Sequence, residues 1–424
     1  MRTARGVALG VLLAVPASAQ SSLFEVSGSG MPVDLLGDAN GDGIGDFLVS
    51  QPYAENGALV DAGCVSVYSG ADGSVLRTLY GADARSHFGQ GASAVGDVNG
   101  DGSGDFAVGA PDEDVPQKHD AGKVRIFSGL DGSVLHERNG ARLAEFFGTV
   151  CAGVGDIDGD GRPDVLVSAP GAIAPDGTWG GALRILSGAD GRLLLQVFGD
   201  HAANLLGQGS AAGLGDVDGD GRPDFGGVQQ STIRVFSGAD GHEIRRHEFG
   251  SPLDTFFLAG GLDANGDGFA DYVMGHRLWP GWVEVRSGRD GTVLLRLVGD
   301  DQGQIRSALG LRDIDGDGYG DVAIGLPYAD GRAGDQTGQV RAYSVRTGRS
   351  IVQVEGASPE ERLALAGFAG GRDWNGDRYS DLIVPSRSSV AIVSLVPRGL
   401  EPYGVGTAGC SGELTLLALS LIHI

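Results

Sequence analysis

The feature that most constrains this chain is a nine-residue pattern, Asp-x-Asp/Asn-Gly-Asp-Gly-x-x-Asp, repeated seven times. The copies begin at Asp38, Asp97, Asp156, Asp216, Asp263, Asp313 and Asp373, with Arg378 standing in place of the second glycine in the last. Successive starts are 59, 59, 60, 47, 50 and 60 residues apart. That period suits one four-stranded propeller blade with its loops, and such a unit buries its apolar face only against neighbours. The 76 glycines would suggest disorder if scattered, but here they recur at fixed places in the period.

Each pattern is flanked by strand-like runs. Phe106-Ala107-Val108-Gly109-Ala110-Pro111 follows the second copy and Val165-Leu166-Val167-Ser168-Ala169-Pro170 the third, short apolar runs closed by proline. Runs of this kind suit strands buried on both faces. An alternating strand such as Lys123-Val124-Arg125-Ile126-Phe127-Ser128 comes next and ends in a recurring turn, Ser69-Gly70-Ala71-Asp72-Gly73 in the first repeat and Ser128-Gly129-Leu130-Asp131-Gly132 in the second. Asp-Gly between alternating strands is a hairpin signal, because glycine supplies the positive φ the turn requires. The expected fold is therefore all-β, a seven-bladed β-propeller over residues 20–396. The first repeat has no alternating strand ahead of it, and Val390–Val396 follows the seventh loop as an orphan. Pairing of this C-terminal strand with the first blade is expected to close the ring and remove its open edges.

The repeated loops have the chemistry of a hard-cation site. Acid or amide side chains at positions 1, 3, 5 and 9 of a tight loop can converge on one point, position 7 can add a carbonyl, and glycines let the backbone wrap. The side chains concerned are Asp38, Asn40, Asp42 and Asp46 in the first loop and Asp97, Asn99, Asp101 and Asp105 in the second. The third has Asp156, Asp158, Asp160 and Asp164, and the fourth Asp216, Asp218, Asp220 and Asp224. Asp263, Asn265, Asp267 and Asp271 make the fifth, Asp313, Asp315, Asp317 and Asp321 the sixth, and Asp373, Asn375, Asp377 and Asp381 the seventh. With oxygen donors only and no His or Cys inside any loop, calcium is the expected ion, up to seven of them in a structural role, and zinc is disfavoured.

Electrostatics points the same way. Two carboxylates about 4 Å apart repel by roughly 4 kcal/mol at an effective dielectric of about 20. The loops together carry 24 such carboxylates, equal to the formal net charge of −24, so seven calcium ions would lower that charge to −10. An EF-hand is ruled out because position 12 holds Val49, Val108, Val167, Gly227, Met274, Ile324 and Val384 where a bidentate Glu is needed, and the flanks read as strands. Asn at position 3 in four loops lowers their charge, and Arg378 makes the seventh site the most doubtful.

These residues resemble a known family. Phe88-Gly89 with Gly109-Ala110-Pro111 around Asp97–Asp105 is similar to the FG-GAP repeat of integrin α-chain propellers, and Phe147-Gly148 with Ser168-Ala169-Pro170 is a second copy. The likeness extends over residues 24 to 396, with Leu206-Gly207 and Gly325-Leu326-Pro327 as drifted versions. It implies a propeller whose loop positions 1, 3, 5 and 9 are calcium ligands. Integrin ligand binding also needs a partner subunit and further domains, so the expected relative is a bacterial-type exported protein.

The ends of the chain read differently from the middle. Arg2 and Arg5, the apolar run Val7–Val15 and Ala17-Ser18-Ala19 form a signal peptide over residues 1–19, with cleavage expected before Gln20, hence a secreted or cell-surface protein. Residues 397–418 read as a linker and the start of a truncated C-terminal module, and 419–424 as the translation of a sequencing-library end. Cys64 and Cys151 read as buried thiols, with a bridge between them as the alternative, and Cys410 as a residue whose partner lies beyond the break.

Acidity argues against nucleic acid or anionic lipid as a partner, and no segment is long and apolar enough for membrane insertion. Seven of the histidines, His87 to His276, are scattered through different blade positions; His242 and His247, five apart in a strand, read as ordinary surface residues. No catalytic motif is present. The functional expectation is a non-catalytic binding or adhesion module for a protein or glycan, bound through the variable loops on the face opposite the calcium loops. The alternatives are a calcium-dependent polysaccharide-degrading enzyme and a structural segment of a larger cell-surface protein.

Overall fold

The computed structural model describes residues 20–25, 33–200, 205–249, 256–299, 304–356, 358–365, 367–372, 380–387 and 389–395. The expected signal peptide, the C-terminal segment, Cys410 and the seventh loop except Ser380 and Asp381 lie outside the described residues. Every regular element described is a β-strand. Among the described residues no helix is long and apolar enough to cross a membrane.

Six antiparallel sheets are built from consecutive strands. The first holds β2 (Val33–Gly37), β3 (Asp46–Gln51), β4 (Cys64–Tyr68) and β5 (Val75–Tyr80), and the second β6 (Gly91–Gly96), β7 (Asp105–Ala110), β8 (Lys123–Phe127) and β9 (Val134–Asn139). The third comprises β10 (Cys151–Gly155), β11 (Asp164–Ala169), β12 (Ala182–Leu186) and β13 (Leu193–Phe198), and the fourth β14 (Ala211–Gly215), β15 (Asp224–Gln229), β16 (Thr232–Phe236) and β17 (Glu243–Glu248). β18 (Phe256–Leu262), β19 (Asp271–His276), β20 (Trp282–Arg286) and β21 (Val293–Val298) make the fifth, and β22 (Ser307–Leu311), β23 (Asp321–Leu326), β24 (Gln339–Ser344) and β25 (Ser350–Glu355) the sixth. A seventh four-stranded sheet combines β26 (Ala369–Arg372), β27 (Asp381–Pro385) and β28 (Ser389–Ser394) with the N-terminal strand β1 (Gln20–Glu25).

The first strand of each sheet lies innermost. β2, β6, β10, β14, β18, β22 and β26 touch one another in that order, and β26 touches β2. This is a β-propeller. Its apolar cores lie between sheets: Leu48 and Val65 meet Phe88 and Phe106, Phe257 and Val273 meet Val322 and Ile324, and Phe47 and Tyr68 meet Ile383 and Val390 between the last sheet and the first. Second strands such as β7 and β11, covered on both sides, are buried at every residue, as their unbroken apolar sequences require.

The expected closing strand takes a different place. β28 pairs with β27 of its own sheet and with β1, Gln20 opposite Ser394 and Glu25 opposite Ser389, so the C-terminal strand does not join the first sheet. The first sheet is complete because a strand precedes its aspartate loop. Such inner strands, Gly-Ala-Ser-Ala-Val-Gly in β6 and Cys-Ala-Gly-Val-Gly in β10, are short and glycine-rich, which hides them from a search for β-branched alternation. A bulge at the end of β10 places Gly155 at φ 81°, and the chain turns there into the third loop.

Phe-Gly pairs fasten one sheet to the next. Phe147 is buried at the boundary between the second and third sheets and bridges Gly122 in the preceding one. A Cβ on Gly122 would lie 2.3 Å from the Phe147 carbonyl oxygen, and its φ is 80°, so only glycine fits. The following Gly148 N–H donates to the Ser168 carbonyl at 2.9 Å, tying the pair to its own second strand. Cys64 and Cys151 are separate buried thiols, and burial pushes the Cys151 thiol up to about 12.

His247 departs from the surface role expected of it. It crosses from β17 to β19, where its Nε2 lies 2.6 Å from the Tyr272 hydroxyl, and burial, reinforced by Arg286 and Arg245, lowers its pKa to about 4. The unfolded chain takes up this proton below about pH 6.5 and the folded chain only near pH 4. The contribution is therefore intact above about pH 6.5 and is lost as pH falls towards 4. Urea titrations across that range should show a shallower acid loss of stability in His247→Gln than in the parent; equal slopes would contradict this account.

Candidate metal centres and the opposite face

Each described aspartate loop connects the innermost strand of a sheet to the second, and each is organised by its own carboxylates. In the third loop Asp156 accepts from the Gly159 and Gly161 amides at 2.7 and 2.8 Å. Asp158 accepts from the Asp160 amide at 3.2 Å, and Asp160 from that of Arg162 at 2.9 Å. Side-chain oxygens thus hold the amides of the turn on one side and leave the remaining lone pairs facing inward.

Position 9 has a second task. Asp164 is fully buried; one oxygen accepts from the Ile157 amide at 2.8 Å and the other from the Gly188 amide at 3.0 Å. Gly188 belongs to the Ser-Gly-x-Asp-Gly turn between the third and fourth strands, so this carboxylate ties the two connections on that face together. Asp46 to Gly70, Asp105 to Gly129, Asp224 to Gly238 and Asp271 to Gly288 repeat the bond at 2.9 to 3.0 Å. The sixth sheet has Val345 after its serine, and there the buried Asp321 Oδ1 has no hydrogen-bond partner.

Three of the four carboxylates converge in each all-aspartate loop. Asp156, Asp158 and Asp164, then Asp216, Asp218 and Asp224, then Asp313, Asp315 and Asp321 each bring one oxygen to within 4.8 Å of the others. The position-5 carboxylates Asp160, Asp220 and Asp317 stand outside these trios, and one oxygen of each accepts from the position-7 amide. In the second and fifth loops the position-3 amides of Asn99 and Asn265 donate to Asp101 and Asp267 at 2.8 and 3.3 Å. An asparagine there exchanges part of the loop's cation demand for an internal bond.

Burial, opposed by the amide bonds and reinforced by neighbouring carboxylates, raises Asp46, Asp164, Asp224 and Asp271 to about 6 and Asp321 to about 7. The donor set is all oxygen, crowded and short of positive charge, so it fits a hard divalent cation. The sixth loop fits best, because Asp321 Oδ1 and Asp317 Oδ2 are both buried without partners. In the third, Arg192 already pairs with Asp158 at 2.7 Å.

Two side chains lace loop to loop in a way the sequence pattern did not disclose. Arg162 donates to the Val98 carbonyl of the preceding loop at 2.8 Å, and Arg222 to that of Ile157 at 2.9 Å. Both occupy position 7, and their recurrence there was the available signal.

The opposite face carries the connections after the second and fourth strands. Between the second, third and fourth sheets these enclose a cavity of about 350 Å³, lined by Phe146, Pro111, Asp112, Thr149, Gln208 and the half-exposed Trp179 among others. Asp112 pairs with His87 at 2.6 Å beside it.

Comparison with known proteins fits this geometry. The FG-GAP repeat model matches residues 88–127, 152–186 and 306–343, which fall in the second, third and sixth sheets. The chain thus carries FG-GAP repeats in three places. It is similar to integrin alpha-5 of Xenopus laevis, 30% identical over 219 residues, and to integrin alpha-V of Gallus gallus, 34% identical over 156. Integrin alpha-PS5 of Drosophila melanogaster is 34% identical over 152 residues. The matched regions take up 45%, 35% and 32% of this chain but 20%, 14% and 14% of those proteins. The FG-GAP name describes the Phe88-Gly89 and Gly109-Ala110-Pro111 segments, which the fold brings together through the Gly89 amide and the Gly109 carbonyl at 2.9 Å.

The double bond of the position-9 carboxylate is testable without metal. In chelator, Asp164→Ala should cost about 3 kcal/mol in urea titration because two buried amides lose their acceptor, while Asp160→Ala at an exposed position should cost less than about 1 kcal/mol. Equal losses would show that Asp164 is only one more loop carboxylate.

Proposed function

We propose that this protein is a secreted or cell-surface, calcium-stabilised propeller that binds a protein or glycan partner and performs no chemistry on it. The single observation that carries this reading is the division of labour between the two faces. On one, acidic side chains hold backbone amides and crowd into trios; on the other, connections of variable length leave Trp179, Trp279 and Tyr53 half or more exposed, Trp179 at the rim of a preformed cavity. Exposed aromatics beside a few polar groups are what a recognition surface offers. The likeness to integrin α-chains supports an adhesion role outside the cell.

In this reading the ring works as seven blades, with the sheet of β1 and β26–β28 as the clasp, and calcium occupies up to seven loops. Asp313, Asp315 and Asp321 would hold the ion in the sixth loop, with Asp317 at its edge, and the other loops would do so through the matching positions, the seventh through Asp373, Asn375, Asp377 and Asp381. The ion supplies positive charge that lets crowded carboxylates stay ionised, and its role is structural. A module with dissociation constants of about 10⁻⁴ to 10⁻³ M gains about 2 kcal/mol per site in 10 mM calcium.

Melting temperature should rise by several degrees from chelator to 10 mM calcium, and Asp315→Asn should lower the bound calcium by about one ion per chain on elemental analysis. An identical melt in both buffers, with no ion retained, would sink the calcium reading. For recognition, a glycan array and a surface-protein library should yield a partner whose capture weakens at least tenfold in Trp179→Ala. Release of cleaved product from a polysaccharide panel would replace the binding role with an enzymatic one.

A further inference from the structure

A second cavity, of about 240 Å³, opens on the ring axis. Val33 of β2, Leu258 of β18, Leu309 of β22 and Phe368 just ahead of β26 all line it, so it is shared by the inner strands of several sheets. These residues stand at or near the starts of their strands, and the aspartate loops follow the ends, so the opening is on the face away from the loops.

The polar groups at this opening are unusual for so acidic a chain. Arg277, just after β19, lines the cavity with its guanidinium over the Phe257 ring at 5.6 Å, and its Nε is buried without a hydrogen-bond partner. Ser307 lines the same cavity, and its hydroxyl is likewise buried without a partner. Arg306, next to Ser307 in the chain, and Arg362 both lie over the Tyr328 ring, at 5.6 and 5.4 Å, and the Arg362 Nε also lacks a partner.

Elsewhere the covered arginines are paired. Arg125 meets Glu113, Arg184 meets Glu145, Arg234 meets Glu243 and Arg286 meets Glu284. Among the described residues, no carboxylate forms an ion pair with Arg277, Arg306 or Arg362. Burial and the charge of Arg306 both lower the Arg277 pKa, with no opposing acid. A guanidinium removed from water in this way regains its lost solvation from an oxyanion. The walls around it are Phe257, Leu258, Leu309 and Phe368, which offer nothing to the several acceptors of a phosphate but suit a hydrocarbon or aromatic stem.

We propose that this axial cavity binds an apolar carboxylate, its oxyanion paired with Arg277 and Ser307 and its stem packed among the aromatic and aliphatic walls. The site is separate from the cavity beside Trp179 and stands whether or not that surface binds a macromolecule. A small free acid and the C-terminal residue of another chain present the same chemistry.

Calorimetry on the calcium-loaded protein, at fixed ionic strength, decides the question with phenylacetate, phenylacetamide and inorganic phosphate as probes. Phenylacetate should bind saturably, at least tenfold tighter than either the amide or phosphate. Arg277→Gln should weaken it at least tenfold, and Leu309→Trp, which fills the cavity, should abolish it. A short peptide ending in phenylalanine, compared as free acid and amide, separates the sources: tenfold tighter binding of the peptide acid than of phenylacetate identifies a chain terminus, and weaker binding a free acid. Equal affinity for phenylacetate and its amide, phosphate binding as tight as phenylacetate, unchanged binding in Arg277→Gln, or no saturable binding at millimolar concentration would each overturn the proposal. Should Arg277→Gln fail to fold, the acid-to-amide ratio on the parent protein decides alone.

Discussion

A buried carboxylate bonded to two backbone segments is the constraint on which each repeat depends. Asp164, with an oxygen on the Ile157 amide and an oxygen on the Gly188 amide, joins the loop that starts a blade to the turn that ends its third strand. Neither amide has another acceptor at hand, and a buried amide without one costs about 1–3 kcal/mol. The same carboxylate is the one that burial most reluctantly keeps ionised. A cation in the adjacent loop would settle both demands, since it would favour the charged form that makes the two amide bonds strongest. Architecture and ion affinity therefore meet in one residue type at one position.

Much of this was legible in the residues. The period of the aspartate pattern pointed to a propeller, and apolar runs such as Phe106–Ala110 marked the buried second strands, because a strand covered on both faces must be apolar throughout. The Ser-Gly-x-Asp-Gly turns fell where expected, on the same side as the loops, and the Asp–Gly bonds make that proximity concrete. What escaped was the inner strand. In β6, β10 and β14 it is largely glycine and alanine, a composition that carries no strand signal of its own. With that strand missing, the orphan at Val390–Val396 looked like the partner of the first blade, whereas β1 is the partner of the last.

The candidate sites divide along the same line. Positions 1, 3 and 9 converge within one short loop, so local sequence suffices to place them, whereas the position-5 carboxylate stands outside the trio. Arg277, Ser307 and Phe368 could not be associated by any local rule. They come from three successive sheets, and only the packing of those sheets side by side brings them to one opening. The role of His247 was hidden for a related reason: its partner Tyr272 belongs to the neighbouring sheet.

The placement of β1 has a bearing on how the molecule is made. Gln20 opens the first strand of the fold, yet its position is opposite Ser394. The strand synthesised earliest must wait for nearly the whole polypeptide before its hydrogen bonds can form, and long-range pairings of that kind are slow. Until then the growing array has two raw ends, so the circle acts as a completion check: a chain released early cannot seal itself and offers bare strand edges to any quality-control machinery that senses them.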